Sequence, residues 1–356
     1  MLLPLPIHDK YCWSWNRIYV KANGRCPCWC HAGESHTIIQ SNDFKNADFV
    51  TDIVNSPQMR QMRLSILQEN KPYIQQCHDC CCYQEHGKLR DKRYQDSDIA
   101  NDITHQATQA LQELKKVMQS HSWPLGSIDN IHEIQLEPSL PCNLRCPGCI
   151  HGAHESPLSL EQPPYLFPLE WFKHMIDCTI THNVKIKLIQ YCGKGEPTLN
   201  KQLPDMIQYA YNKSISQSMD TNSNQVFNDA YLNLNRINCS IDGSTNESYS
   251  AYRRNGNFDK AILFMENAIK RKRELNSKCM IRWKYILFSV TEELKLLNKA
   301  QKIAKDIGID ELDFVITTCG AFDSSILPPQ LMNRIDVVQH YINQNPIFSN
   351  TIVSRS

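Results

Sequence analysis

Sixteen cysteines stand in a chain of 356 residues, and their bunching limits the possible folds more than any other feature. Eight precede residue 83: Cys12, Cys26, Cys28, Cys30, Cys77, Cys80, Cys81 and Cys82. Three more share an eight-residue segment as Cys142, Cys146 and Cys149, and Cys178, Cys192, Cys239, Cys279 and Cys319 are scattered through apolar contexts. A disulfide scaffold is small, secreted and loop-rich. This chain is long enough for a large core plus a smaller domain. Its start, MLLPLPIHDKYCW, has neither the basic flank nor the small-residue cleavage site of a signal peptide. Tight clusters in such a chain read as metal ligands in a reducing, cytoplasmic compartment. The scattered five read as small buried hydrophobes.

Residues 1–90 combine the eight cysteines with Trp13, Trp15, Tyr19 and Trp29. Residues 91–130 are polar and form a linker with one helix, in which Ile103, Ala107, Ala110, Leu111, Leu114, Val117 and Met118 recur at helical spacing. From 131 the pattern alternates. Strands are expected at 131–138, 185–193, 214–223, 234–242, 279–288 and 311–318. Helices are expected at 169–182, near 201–212, and around Phe258, Ile262, Met265 and Ile269. A further helix would start at Thr291 as N-cap and end at Gly308. Six strand–helix units predict an α/β fold with a parallel sheet. Six fall short of the eight of a closed barrel, so a partial (β/α)6 TIM-like barrel over 131–325 is expected. A small cysteine-rich α+β domain precedes it, and 326–356 is a C-terminal extension.

Cys142-Asn-Leu-Arg-Cys146-Pro-Gly-Cys149 directly follows the first expected strand. Three thiolates at this spacing can wrap one corner of a four-iron cluster and leave one iron open to a chelating ligand. A zinc site is the bland alternative, with His151 or His154 as fourth ligand. Cys142, Glu196, Asn222, Ser240 and Asp242 all fall at or just after the carboxyl ends of four expected strands. Those ends share one face in a parallel sheet, the face where ligands bind.

Cys-x3-Cys-x2-Cys resembles the signature of the radical S-adenosylmethionine superfamily, and further likeness extends over about 131–320. Lys194-Gly195-Glu196-Pro197 resembles that family's Gly-Gly-Glu-Pro motif, with Lys194 where the first glycine stands. Thr221-Asn222-Ser223 resembles its Thr-Asn-Gly turn. Ser240-Ile-Asp242-Gly243 resembles the segment whose polar groups contact the ribose, and Arg254-Asn-Gly256-Asn-Phe258 loosely resembles its Arg-Gly-x-Gly-x-Phe run. Gly148 stands where many members carry an aromatic residue. The resemblance implies a catalytic [4Fe–4S] cluster on Cys142, Cys146 and Cys149. It also implies S-adenosylmethionine held by Gly195, Glu196, Pro197, Asn222, Ser240, Asp242 and Arg254, and a 5′-deoxyadenosyl radical that takes hydrogen from a substrate. A flavodoxin- or ferredoxin-type electron donor or a reductase is implied as partner.

The N-terminal cysteines resemble the twitch domain, a shortened SPASM domain that holds an auxiliary [4Fe–4S] cluster. Carried over, its ligands are Cys12, Cys28, Cys77 and Cys80, with Cys26, Cys30, Cys81 and Cys82 as alternates or ligands of another cluster. The stretch from Asp52 through Arg60 and Arg63 resembles its helical spacer. A zinc knuckle is the alternative here. The twitch likeness points to a peptide or protein side chain as substrate, with a small metabolite or sugar second. Net charge is +1 from 38 basic and 37 acidic residues. That balance argues against nucleic acid as partner and against attraction to a membrane surface. The run Lys270-Arg-Lys-Arg273 reads as the solvated face of a helix. Of the neighbours Lys284 and Tyr285, one must face the sheet interior. A non-catalytic metal-binding scaffold is the competing reading of the whole chain.

Overall fold

The computed structural model describes residues 17–27, 37–39, 44–67, 124–153, 157–316 and 335–355. The chain separates into two compact units, Met1–Gln135 with Glu170–Ile189, and Leu136–Leu169 with Gln190–Ser356.

The first unit contains β1 (Arg17–Val20), β2 (Cys26–Pro27), β3 (Thr37–Ile39), a π-helical turn (Phe49–Val54), α1 (Pro57–Leu67), β4 (Asn130–Ile131), β5 (Glu133–Leu136), α2 (Leu169–Thr181) and β6 (Lys185–Ile186). The likeness to a helical spacer lies on the π-helical turn and α1. Asp48 caps the turn, its side chain accepting the N–H groups of Val50 and Thr51. Arg63 on α1 is fully buried and donates to Asn55 Oδ1, Val54 O and Gly126 O. Asn55 in turn accepts from Ile128 N at 2.9 Å. Burial, with Arg60 nearby, brings the Arg63 pKa down to about 9. The 124–128 segment is thereby stapled to the start of α1. The expected helix of 91–130 lies outside the described residues up to 123.

The expected strand at 185–193 is divided. Lys185–Ile186 pairs in parallel with Asn130–Ile131, and pairing resumes one step on, with Lys187 N donating to Ile131 O and Leu188 O accepting from Ile134 N. The strand expected at 131–138 is likewise broken into β4 and β5.

The second unit runs β7 (Ile189–Tyr191), α3 (Leu203–Asn212), β8 (Gln217–Thr221), β9 (Arg236–Ser240), α4 (Asn246–Tyr252), α5 (Phe258–Glu274), β10 (Met280–Leu287), α6 (Leu294–Ile307), β11 (Glu311–Ile316), α7 (Ile335–Gln344) and β12 (Thr351–Arg355). Strands β8 to β12 are parallel and hydrogen-bonded in sequence order. Each step from β8 to β11 is crossed by chain containing helix, the arrangement that parallel strands require.

The period-two pattern of β10 explains its two faces. Ile281, Trp283, Tyr285 and Leu287 are buried, and the alternate residues Arg282, Lys284 and Ile286 are half-buried. Trp283 and Tyr285 enter the core with their polar atoms paired, the indole N–H to Ile241 O and the phenol to Thr291 O, both at 2.8 Å. Phe258, Ala261, Phe264, Met265, Ala268 and Ile269 form the buried stripe of α5, whose N-cap Asn257 accepts Lys260 N.

Gly308 ends α6 at φ 74°, as its place in the sequence predicts. The start of α6 differs from expectation. Glu293 is its N-cap, and Thr291 is buried, its hydroxyl accepting Phe288 N at 2.9 Å to close the turn after β10. A threonine before an apolar run served that turn instead of the helix. The C-terminal residues contribute α7 and β12, which pairs Thr351–Arg355 with Leu312–Ile316 and extends the sheet beyond the six expected strands.

Candidate active site

The cysteine loop belongs wholly to the second unit and is built by close backbone approach. Gly195 lies so near the strand-end segment that an added Cβ would sit 2.0 Å from Ser139 O and 2.5 Å from the Leu140 carbonyl. Glu196 N donates to Pro141 O at 2.9 Å, one residue before Cys142. Beyond the loop, Cys149 opens a helical turn, Ile150–Ala153, by accepting Gly152 N and Ala153 N. A Cβ on Gly152 would meet Cys146 O at 2.1 Å. Two glycines thus clamp the loop from both sides, the role of glycine wherever backbones must touch.

All three cysteines are free thiols. Cys142 Sγ accepts Leu144 N at 3.4 Å and lies 3.8 Å from Asn222 Nδ2. Cys149 Sγ is 3.8 Å from Lys194 O. Arg253 Nη1 approaches Cys146 Sγ at 3.9 Å. Leu144, Tyr252 and Phe288, with Ile286 and Val290, pack as an apolar patch around the three cysteines, and the Tyr252 and Phe288 rings stack with centroids 3.8 Å apart. Burial pushes the Cys142 thiol up to about 12 and raises that of Cys146, where Arg253 opposes it. Such thiols stay protonated until a cationic centre replaces the proton. Among the described residues, no three His, Cys, Asp or Glu side chains are grouped to hold one single metal ion; in a four-iron cluster each thiolate would meet a different iron.

Around this loop the other expected residues fall into a connected network. Glu196 is buried and its carboxylate accepts four hydrogen bonds, from Thr198 N, Thr198 Oγ1 and Thr221 Oγ1 on Oε1 and from Asn222 N on Oε2. Burial raises its pKa, against the pull of those four donors. Pro197 begins the short helical turn Pro197–Leu199 that Glu196 caps. Asn222 donates to Asn143 Oδ1 at 2.8 Å and accepts Asn224 N at 2.9 Å, and Asn224 donates to the Tyr249 hydroxyl at 2.7 Å. Ser223, in the glycine position of the resembling turn, has φ 60°. Lys194 keeps ordinary backbone geometry. Its N–H donates to Glu137 Oε1 at 2.6 Å and its ammonium lies 3.6 Å from Glu161, so a lysine fits where a glycine was expected.

Ser240 is half-buried at the end of β9, in register with Lys284. Asp242 is fully buried and takes Arg253 Nε at 2.6 Å and Ile286 N at 2.7 Å, so its carboxylate is engaged within the protein. Arg254 meets the loop through its backbone, its carbonyl accepting Arg145 N at 2.9 Å, and its side chain is exposed. The neighbouring Arg253 is the side chain that reaches a cysteine sulfur. Two adjacent arginines carry no sequence signal to say which turns inward; the end of α4 decides it, where Arg253 N–H closes the helix on Tyr249 O. Burial, the largest single influence, would lower the Arg253 pKa, but the Asp242 carboxylate together with Cys146, Tyr249 and Tyr252 outweighs it and holds the group well above its ordinary value.

His151 is buried, and burial, with Arg145 and Lys194 nearby, lowers its pKa. Cys12, Cys28, Cys77 and Cys80, with Cys30, Cys81, Cys82 and His154, lie outside the described residues. Cys26 is buried in β2, and burial drives its thiol far up. Cys178, Cys239 and Cys279 are buried in line with a packing role. In the basic run, Arg271 pairs with Asp229 and Glu274, and Lys272 pairs with Asp310 at 2.6 Å. Tyr285 points into the core, which leaves Lys284 on the opposite face, 3.8 Å from Asp220. No helix among the described residues is long and apolar enough to cross a membrane.

No protein-family description and no curated protein matches the chain. Solved structures that resemble it include SuiB of Streptococcus suis bound to S-adenosylmethionine, at 14% identity and TM-score 0.49, over 79% of this chain and 62% of that one. A radical SAM methyltransferase from Sphaerobacter thermophilus is similar at 11% identity and TM-score 0.44, over 62% and 65% of the respective chains. Methylornithine synthase (PylB) is similar at 10% identity and TM-score 0.43, over 63% and 71%. The chain spans less than two thirds of the length of SuiB.

Proposed function

We propose that this chain is a radical S-adenosylmethionine enzyme that takes a hydrogen atom from a peptide or protein side chain. One observation carries the reading. Three free cysteines within eight residues share an apolar patch, and the Glu196–Asn222 network is hydrogen-bonded to the same loop. The donor set fits a [4Fe–4S] cluster: three thiols, a backbone N–H and a guanidinium aimed at sulfur, and a dry apolar shell. Cys142, Cys146 and Cys149 would hold the cluster, which would supply the electron for reductive cleavage of S-adenosylmethionine.

The chain's own residues hold and orient. Gly195 and Pro197 present backbone to the methionine end, and Glu196, locked by its four donors, fixes that segment against the cysteine loop. Asn222 ties the end of β8 to Asn143. Ser240 is the ribose contact. Asp242 acts through Arg253, because its own oxygens are already engaged, and Arg254 holds the loop by its carbonyl. Tyr252 and Phe288 pack with the buried Cys146 and shield that sulfur. On the sheet, one face of β8 to β11 carries Asp220, Asn238, Arg282, Lys284 and Asp313, which supports a polar side chain as substrate. An auxiliary cluster on Cys12, Cys28, Cys77 and Cys80 and a flavodoxin- or ferredoxin-type donor complete the reading.

The test is anaerobic reconstitution with iron and sulfide, then dithionite and S-adenosylmethionine, with 5′-deoxyadenosine measured by mass spectrometry beside Cys142→Ala. Cysteine-dependent 5′-deoxyadenosine is the expected result. Two clusters predict about eight irons per chain, falling by half in the C142A/C146A/C149A variant. Zinc in place of iron, or unchanged cleavage in that variant, would overturn the assignment in favour of a scaffold.

A further inference from the structure

Arg253 and Asp242 stand apart from the other residues around the cysteine loop, because together they put a fixed charge pair against one sulfur. Asp242 is immobilised twice over. It follows β9 directly, and its Oδ1 accepts Ile286 N at 2.7 Å from β10. Its Oδ2 takes Arg253 Nε at 2.6 Å, and its side chain is fully buried beside a guanidinium only 13% exposed. That leaves the Nη1 edge of Arg253 directed at Cys146 Sγ at 3.9 Å. The Tyr252 ring, 5.8 Å from the guanidinium carbon, closes one side, and Phe288 stacks on that ring. The positive end of the pair is the end that meets sulfur, and the carboxylate sits behind it.

The geometry points to Arg253 as the residue that sets the reduction potential of a cluster held by Cys146, with Asp242 as the counter-charge that positions it and damps its effect. The inference rests on the proposed reading of the loop as a cluster site. Reduction adds one electron to the cluster, so a nearby cation stabilises the reduced form and a nearby anion opposes it. Cluster potentials respond to net charge and to hydrogen bonds to the sulfurs. Both effects of Arg253 have the same sign, since its charge and its N–H to Cys146 favour reduction. The field acts strongly because the apolar shell keeps water out. A merely structural pair would tie the end of β9 to α4 and leave the potential alone.

The experiment is an EPR-monitored redox titration of the reconstituted full chain, following the cluster signal that disappears in C142A. R253Q removes the cation and should lower the midpoint. D242N keeps the shape and removes the anion, so it should raise the midpoint. R253K should stay near wild type. Each charge-removing variant is expected to change the oxidised-to-reduced ratio at fixed potential by a factor of ten, about 59 mV for a one-electron couple. Opposite shifts establish tuning. Equal midpoints in D242N and wild type, or shifts of the same sign in both variants, overturn it. If R253Q fails to fold with Asp242 left unpaired, D242N alone decides by its sign. If no EPR signal is lost in C142A, the cluster-site reading itself is defeated, and that outcome is recognised separately.

Discussion

Replacing Gly195 by alanine should damage the site in a way that no side-chain adjustment can relieve. The new Cβ would lie 2.0 Å from Ser139 O, and its next neighbours, at 2.5 Å, are the Leu140 carbonyl carbon and oxygen. Ordinary contact begins near 3.4 Å, so the two backbones must part by about 1.4 Å. The bond from Glu196 N to Pro141 O starts at 2.9 Å and does not survive that separation. Overpacking costs about 1–3 kcal/mol, and a lost buried hydrogen bond adds about 1 kcal/mol. The expected destabilisation is therefore about 2–4 kcal/mol. Urea unfolding followed by tryptophan fluorescence should show a midpoint lower by roughly 1–2 M at a typical denaturant slope. Because Pro141 precedes Cys142, iron uptake on reconstitution should fall as well. A G195A protein with the wild-type midpoint and wild-type iron would refute the close-approach argument.

Ser223 holds a left-handed φ of 60°, which costs an L-residue about 1–2 kcal/mol, so S223G should raise the unfolding free energy by up to about 1 kcal/mol after glycine's own entropy cost, read as a higher urea midpoint. A destabilised S223G would show that the buried serine side chain contributes more than the strain removes. In the first unit, burial pulls the Asp48 carboxyl upward, but its bonds from Thr51 and Val50 N–H and the His182 ring 2.8 Å away win and hold it below its ordinary value near 3.8. Its contribution is therefore present above that pH and lost as pH falls below it, through the depressed folded-state value. D48A should cost about 1 kcal/mol near neutrality, and the variant and wild type should converge in thermal melts as the carboxyl protonates. A gap that stays constant with pH would remove the charge from the explanation.

Much of this architecture is local and therefore readable in the sequence. Period-two alternation placed β10, helical spacing placed α5, and Gly308 marked the end of α6, because each depends on neighbours within a few residues. The cysteine spacing and the positions of Glu196 and Asn222 at strand ends were legible for the same reason. The sequence could not show that Thr291 folds back on Phe288, that the strand at 185–193 breaks in two, or that β12 joins the sheet beside β11. Those outcomes depend on hydrogen bonds between segments far apart in the chain. The sharpest case is the pair Arg253 and Arg254. The motif likeness fell on Arg254 alone. Tertiary structure alone turned Arg253 toward Asp242 and Cys146 and left Arg254 exposed. The physical reason is that a buried carboxylate at the end of β9 needs one charged partner, and the turn that ends α4 decides which arginine reaches it.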